Sequence, residues 1–357
     1  MAMISQVPFQ LTGRYAEHSK WEVLNGPRDS RPTGRNVVED EGLVGAMSDK
    51  VILITGVSAG MGPETVRILA LTGATIFATA RNLDKAREVL GASLLETGRV
   101  HLLFMDQTDL ASVRKCAAEF RQRSGGKLNI LINNAGVMKT PECRTKDGFE
   151  LQFGTNHLSH FLLFYLLKDI LLASSTSEFH SRVVNVSSVG HRFGPVRFDN
   201  LNFEGEYEGW AAYGQSKTAN IYMATQIERL YGAQGLHGYS LNPGSFDNPN
   251  LQKFSQEEMK AAKNDDRMVK YFVSLEQVCA TSVYAAISKE LEGKGGLYLE
   301  GASVAGPRRR IAIRLSTGTA SGRLIVRKKR SCGRLVRGWL AWSDGYMVLH
   351  NCIFVNT

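Results

Sequence analysis

The stretch Val51-Ile52-Leu53-Ile54-Thr55-Gly56-Val57-Ser58-Ala59-Gly60-Met61-Gly62-Pro63 runs from five strand-type residues into three glycines and a proline. An apolar run of this length, without alternation, reads as a strand buried on both faces. The glycines permit a tight turn and the close approach of a pyrophosphate. A helix starting behind them offers unpaired N–H groups and a positive dipole end to an anion. Pro63 suits the first position of that helix. The spacing is G-x-x-x-G-x-G, one residue longer than the G-x-G-x-x-G fingerprint. Gly56, Ser58, Gly60, Met61 and Gly62 are the candidate dinucleotide contacts of this turn.

Working outward, strand-length apolar runs recur at 75–80, 100–105, 130–132, 182–187, 238–241 and 297–299. Helix-length amphipathic stretches fall between them, near 63–72, 109–122, 158–173, 210–231 and 275–289. This alternation predicts an α/β fold, a Rossmann-like doubly wound parallel sheet covered on both faces. The chain divides into three regions: a polar N-terminal arm over 1–48 without sustained period, a single domain over 49–306, and an irregular basic tail over 307–357. The arm either packs on the domain or stays mobile.

The net charge of +9 belongs to the tail. From Pro307 onward eleven Lys and Arg stand against one acid, Asp344, so residues 1–306 carry one net negative charge. The body gives no reason to expect nucleic acid as a partner. The most apolar run, Phe161–Leu167, is broken by Lys168 and Asp169 and reads as a buried helix, not a membrane span. No basic segment leads an apolar block at the N-terminus. Five scattered cysteines form no CxxC pair. Free thiols in a reducing compartment, the cytoplasm, are the expectation.

Two further positions speak to chemistry. The second strand ends in Arg81, where an acid would bind ribose hydroxyls and an arginine accommodates a 2′-phosphate; this favours NADP, with NAD as the alternative. In Ala212-Tyr213-Gly214-Gln215-Ser216-Lys217, the i, i+4 spacing puts Tyr213 and Lys217 on one helix face. A tyrosine, ordinarily with a pKa of about 10, is a poor acid or base near neutrality. A lysine ammonium beside it is expected to lower that value.

Together with Asp106 in "FMDQTD", "NNAG" at 133–136, "TNHLSHF" at 155–161, "VNVSS" at 184–188 and "NPG" at 242–244, these motifs resemble the short-chain dehydrogenase/reductase family over about 48–304. The likeness is nearest the retinol-dehydrogenase-like branch and related fungal oxidoreductases. Those relatives share an arm like "LTGRYAEHSKWEVLNGP" and an ending like "GKGGLYLE". The resemblance implies an NADP-dependent oxidoreductase interconverting an alcohol and a carbonyl on a hydrophobic small molecule, with a role in fungal secondary metabolism. It implies that Tyr213 is the general acid/base, that Lys217 holds the nicotinamide ribose, that Ser188 orients the substrate oxygen, and that Asn156 holds a relay water. Asp106 would contact the adenine. Asn134, Ala135, Gly136, Pro243 and Gly244 would line the cofactor cleft. Many members form homo-oligomers.

The chain departs from the pattern in two places. No Thr follows "NPG"; Ser245 and Asn248 are the nearest substitutes. The tail replaces the short acidic, aromatic terminus of relatives, which reads either as a basic appendage or as an altered terminus. These departures argue for the rival reading, a catalytically idle dinucleotide-binding or regulatory protein, and the intact set of Asn156, Ser188, Tyr213 and Lys217 argues against it. The insert 189–212 carries Phe193, Phe198, Phe203, Tyr207 and Trp210, which either shape an apolar pocket or pack the loop down.

Overall fold

The computed structural model describes residues 10–306, 342–343, 346–349 and 352–353. The strands are β1 (Leu11–Thr12), β2 (Val51–Thr55), β3 (Thr75–Ala80), β4 (Val100–Phe104), β5 (Ile130–Asn133), β6 (Ser181–Val186), β7 (Leu236–Asn242), β8 (Leu297–Glu300) and β9 (Ser303–Ala305). They form one sheet in the order β1-β9-β8-β7-β6-β5-β2-β3-β4. Every neighbouring pair from β4 through β8 is parallel; β9 and β1 run antiparallel at the edge. This is the Rossmann-like doubly wound sheet.

Both faces are covered, as the unbroken apolar strands require. One face joins Ile52, Ile54, Ile76, Ile130, Ile132, Val184 and Tyr239 to Val66, Leu69 and Val283. The other joins Leu53, Phe77, Leu103, Leu131 and Val183 to Phe120, Leu163 and Leu167. From β4 the chain crosses back over β3 and β2 to reach β5, so the winding reverses between β2 and β5. At such a switch point the loops at the strand C-termini part and leave a crevice. The residues flanking it are Gly56–Gly62 and Asn134–Gly136.

The helix behind the glycine turn begins at Met61, two residues before the Pro63 start that the sequence suggests. Gly60, with φ 68°, is its N-cap, and no side chain caps it. The helix Gly209–Tyr231 carries the Tyr213/Lys217 pair and starts on Glu208, whose carboxylate accepts from the N–H groups of Trp210 and Ala211.

The arm packs on the domain. Leu11 and Thr12 pair with Ala305 and Val304. The helix Gly34–Asp40, closed by a Thr33/Asn36 capping box, buries Val37 and Val38. The Tyr15 hydroxyl donates to Asp40 at 2.7 Å. The chain falls into two units, one ending at Arg308 and the other comprising Arg309–Thr357. Within the second, strands Trp342–Ser343, Tyr346–Leu349 and Cys352–Ile353 pair antiparallel in that order; the rest of the expected basic tail lies outside the described residues. No helix among the described residues is long and apolar enough to cross a membrane.

Candidate active site

The glycine turn is pinned to the end of β3. The N–H groups of Gly56 and Val57 both donate to the Thr79 carbonyl, at 2.9 and 3.1 Å. A Cβ on Gly62 would stand 2.2 Å from the Gly56 carbonyl oxygen, and one on Gly56 would stand 2.8 Å from Ala135. Gly60 adopts a positive φ, and a Cβ there would meet Asn248 Nδ2 at 2.8 Å. Bare backbone and an uncapped helix end are what an anionic pyrophosphate requires. The residues present therefore fit a dinucleotide. Ser58 is half-buried within the turn, and Met61 is buried at its exit.

Arg81 is exposed one residue past β3, at the same edge of the sheet. Beyond β4, Asp106 accepts from the N–H and hydroxyl of Thr108 at 3.0 and 2.8 Å, which fixes its carboxylate in a turn. Pro243 and Gly244 follow β7 half-buried, Gly244 with φ 100°.

Thr55 organises the crevice, and sequence reasoning gave it no role. Its hydroxyl oxygen accepts from the N–H groups of Asn134 and Ala135, both at 3.0 Å, and contacts His160 Nε2 at 2.8 Å. Both lone pairs are engaged, so the hydroxyl proton goes to His160 Nε2. His160 then carries its own proton on Nδ1 and donates it to the Asn156 carbonyl at 3.0 Å. Burial keeps this imidazole neutral by pushing its pKa down to about 4. The signal was a histidine one helical turn past Asn156 in "TNHLSHF".

Asn156 lies on a π-helical turn, Gly154–Leu158, an irregularity often found at functional sites. Its amide pairs with the Val137 backbone in both directions, at 2.8 and 2.9 Å, and also donates to Ser216 at 2.9 Å. A Cβ on Gly136 would lie 3.2 Å from Asn156 Oδ1 and 3.4 Å from Lys217 Nζ, so these groups converge on Gly136.

Ser188, Tyr213 and Lys217 also come together. Ser188 caps the turn Val189–Phe193, accepting from Gly190 N–H at 3.0 Å, and hydrogen-bonds Tyr213. Lys217 is buried, with Nζ donating to the Val186 carbonyl at 3.1 Å and lying 5.6 Å from the Tyr213 ring centre. The expected lowering of the Tyr213 pKa is not found. Burial pushes the phenol up to about 12, opposed only by the Ser188 hydrogen bond. The physical reason is that the lysine is buried too, and its own pKa is pushed down to about 8. At neutral pH Tyr213 is a phenol poised to donate.

The buried lysine has a consequence for stability. Below about pH 8 the folded protein holds an ammonium out of water. Between about 8 and the ordinary 10.5 the unfolded chain binds the extra proton, so this group makes stability rise with pH across that window. Lys217→Met is therefore expected to be more stable than wild type at pH 7. The gap between their urea midpoints narrows as pH climbs through the window; a constant gap would contradict the assignment.

The insert divides between its two readings. Phe203 is buried, and Tyr207 donates to the Thr140 carbonyl at 2.7 Å, so these pack the loop. Phe193 is exposed with its ring 5.2 Å from that of Trp210, which sits 6.1 Å from Tyr213, so Trp210 neighbours the reactive phenol and Phe193 lies against Trp210.

The family described as short chain dehydrogenase matches residues 50–259. A short-chain dehydrogenase/reductase, prx1, of Penicillium roqueforti is 49% identical over 301 residues, covering 83% of this chain and 88% of that one. Mouse retinol dehydrogenase 12 is 36% identical over 251 residues, covering 70% and 77%. Among solved structures, a Pseudomonas aeruginosa RhlG/NADP complex superposes with TM-score 0.58 at 22% identity, covering 72% of this chain and 96% of that one, a likeness of fold. The glycine turn at the switch point, the assembled Asn156, Ser188, Tyr213 and Lys217, and these relatives agree: the chain belongs to the short-chain dehydrogenase/reductase family.

Proposed function

We propose that this protein is an NADP-dependent oxidoreductase that interconverts an alcohol and a carbonyl on a hydrophobic small molecule. The observation that carries the reading is the convergence of Ser188, Tyr213 and Lys217 beside an open glycine turn. Gly56, Ser58, Gly60, Met61 and Gly62 would receive the pyrophosphate. Asn134, Ala135, Gly136, Pro243 and Gly244 would line the cleft, with Asp106 toward the adenine. The dinucleotide, when bound, supplies or accepts the hydride.

The chain's own residues handle the proton. In reduction, Tyr213 donates its phenolic proton to the forming alkoxide, and Ser188 holds that oxygen in line. Lys217 compensates the phenolate by its charge, and the Tyr213 phenolate regains its proton by way of Lys217, which is itself reprotonated from the Asn156 side, where a water relay would start. In oxidation the order reverses, and the neutral phenol must first be ionised, so a high pH favours it. Trp210 beside Tyr213, with Phe193 against it, supports an apolar substrate. The likeness to short-chain dehydrogenase/reductases of Penicillium supports a fungal oxidoreductase, and a role in secondary metabolism and a cytoplasmic location are part of the proposal.

The exposed guanidinium of Arg81 supports NADP over NAD. A hydrogen bond to a charged group contributes about 1.5–3 kcal/mol, so Arg81→Asp should bind NADPH about 10- to 100-fold more weakly and gain affinity for NADH. Calorimetry on both nucleotides measures this, and unchanged preference would remove Arg81 from the reading. The same titration on wild type tests the proposal as a whole. Binding followed by turnover in a carbonyl panel supports it; binding without turnover favours the idle dinucleotide-binding protein; no binding sinks both.

A further inference from the structure

The arm contains a group that the reaction does not account for. Arg31 is nearly buried, its side chain 9% exposed. Its Nε donates to Asp29 at 2.8 Å and its Nη2 to the Gly26 carbonyl at 3.0 Å, both within the arm. The remaining bonds leave the arm altogether. The guanidinium donates to three successive carbonyls, Lys270 at 3.1 Å, Tyr271 at 3.1 Å and Phe272 at 2.6 Å. Three convergent carbonyl dipoles repel one another unless a multi-donor cation sits among them, and the fork of an arginine has that shape. Gln277 fastens the same loop from the other side, donating to the carbonyls of Asp29 and Arg31. Trp21 stacks 5.2 Å from Tyr271.

What Arg31 grips is the back of the cofactor cleft. Phe272 bridges to Ser245, and Val273 N–H donates to the Ser245 carbonyl at 2.8 Å. A Cβ on Gly244 would lie 3.2 Å from Val273. Val273 and Val278 pack on Met61 of the glycine turn, with Phe246 against them. Asn248 reaches Gly60. The wall 243–248 therefore rests on 270–273, which rests on Arg31.

We propose that Arg31 is a positioning residue for the dinucleotide: through the carbonyls of 270–272 it holds the wall 243–248 at the glycine turn. The arm is thus a working part of the cofactor site. This rests on the dinucleotide reading above.

The test compares wild type, Arg31→Ala and Arg31→Lys. NADPH affinity is read by calorimetry, and amide exchange at 245–248 is read in the nucleotide-free proteins. Losing three charge-assisted bonds should weaken NADPH binding about 10- to 100-fold in Arg31→Ala. Exchange should speed up at 245–248 and 270–273 but not in β5 and β6. Arg31→Lys should fail to restore affinity, because three donors on one nitrogen cannot span the Asp29 carboxylate and the four carbonyls that the planar fork reaches. Millimolar guanidinium should restore part of it to Arg31→Ala, while potassium chloride at equal strength should not. Wild-type affinity in Arg31→Ala, or exchange rising uniformly across the sheet, would overturn the proposal. If wild type itself binds neither nucleotide, the dinucleotide reading falls and takes this role with it, a result distinct from the first.

Discussion

Tyr213→Phe is expected to lower turnover of the carbonyl substrate that a panel identifies by about 10³-fold, within the 10²–10⁴ that a positioned general acid contributes. The substitution removes one hydroxyl and leaves the ring. The packing of that ring against Trp210 and above Gly190 should persist, because a Cβ on Gly190 would already meet it at 2.6 Å. NADPH affinity should stay within a few-fold of wild type, since the glycine turn and Arg81 are untouched. Single-turnover kinetics and calorimetry separate the two quantities. Loss of affinity equal to the loss of turnover would make Tyr213 part of the cleft wall and not the proton donor. The phenol stays protonated up to about 12, so wild-type reduction should show no titration of Tyr213 through the neutral range.

Gly62→Ala is expected to abolish NADPH binding. The added Cβ falls 2.2 Å from the Gly56 carbonyl oxygen and 2.9 Å from Asn134 Nδ2. Backbone on one side and the Asn134 amide, itself bonded to the Thr55 and Gly56 carbonyls, on the other leave no soft neighbour to yield. Overpacking in such a place costs about 1–3 kcal/mol, and the turn that relieves it is the one that would hold the pyrophosphate. Circular dichroism should report a retained fold with a lowered melting temperature, and calorimetry no heat with NADPH. Gly91→Ala is the control: that glycine, unlike Gly62, has a positive φ, 84°, but no atom within 4 Å of the added Cβ. It should lose stability and keep binding. Equal behaviour of the two variants would contradict the cradle.

Much of the fold and the site was legible because the signals are local. Val51–Thr55 and Thr75–Ala80 announce buried parallel strands by their unbroken apolar runs, and the three glycines after Thr55 announce a phosphate-sized turn. The features that escaped depend on distance along the chain. The helix Gly34–Asp40 has only two consecutive valines to bury, too few for a period to show. Half the residues of the helix Leu83–Leu90 are charged, and its cap Asn82 is its clearest mark. Arg31 looks like one more surface charge until residues 270–272 are folded against it. The direction of the Tyr213 shift escaped for a related reason: spacing reveals that Lys217 is a neighbour, whereas burial, which dominates both groups, is set by the whole fold. His160 and Thr55 lie far apart in sequence and meet only once β2 and the π turn are in place.

The pairing of Leu11 with Ala305 has a meaning for biosynthesis. The arm leaves the ribosome first, yet its strand partner emerges among the last residues of the domain. At roughly 5–20 residues per second, translation keeps them apart for some tens of seconds. The glycine turn and β2 to β5 are all outside the exit tunnel well before then. The strand Leu11–Thr12 therefore waits, unpaired, while the parallel sheet assembles, and pairs last. Its pairing marks the moment at which the last strand of the sheet is in place.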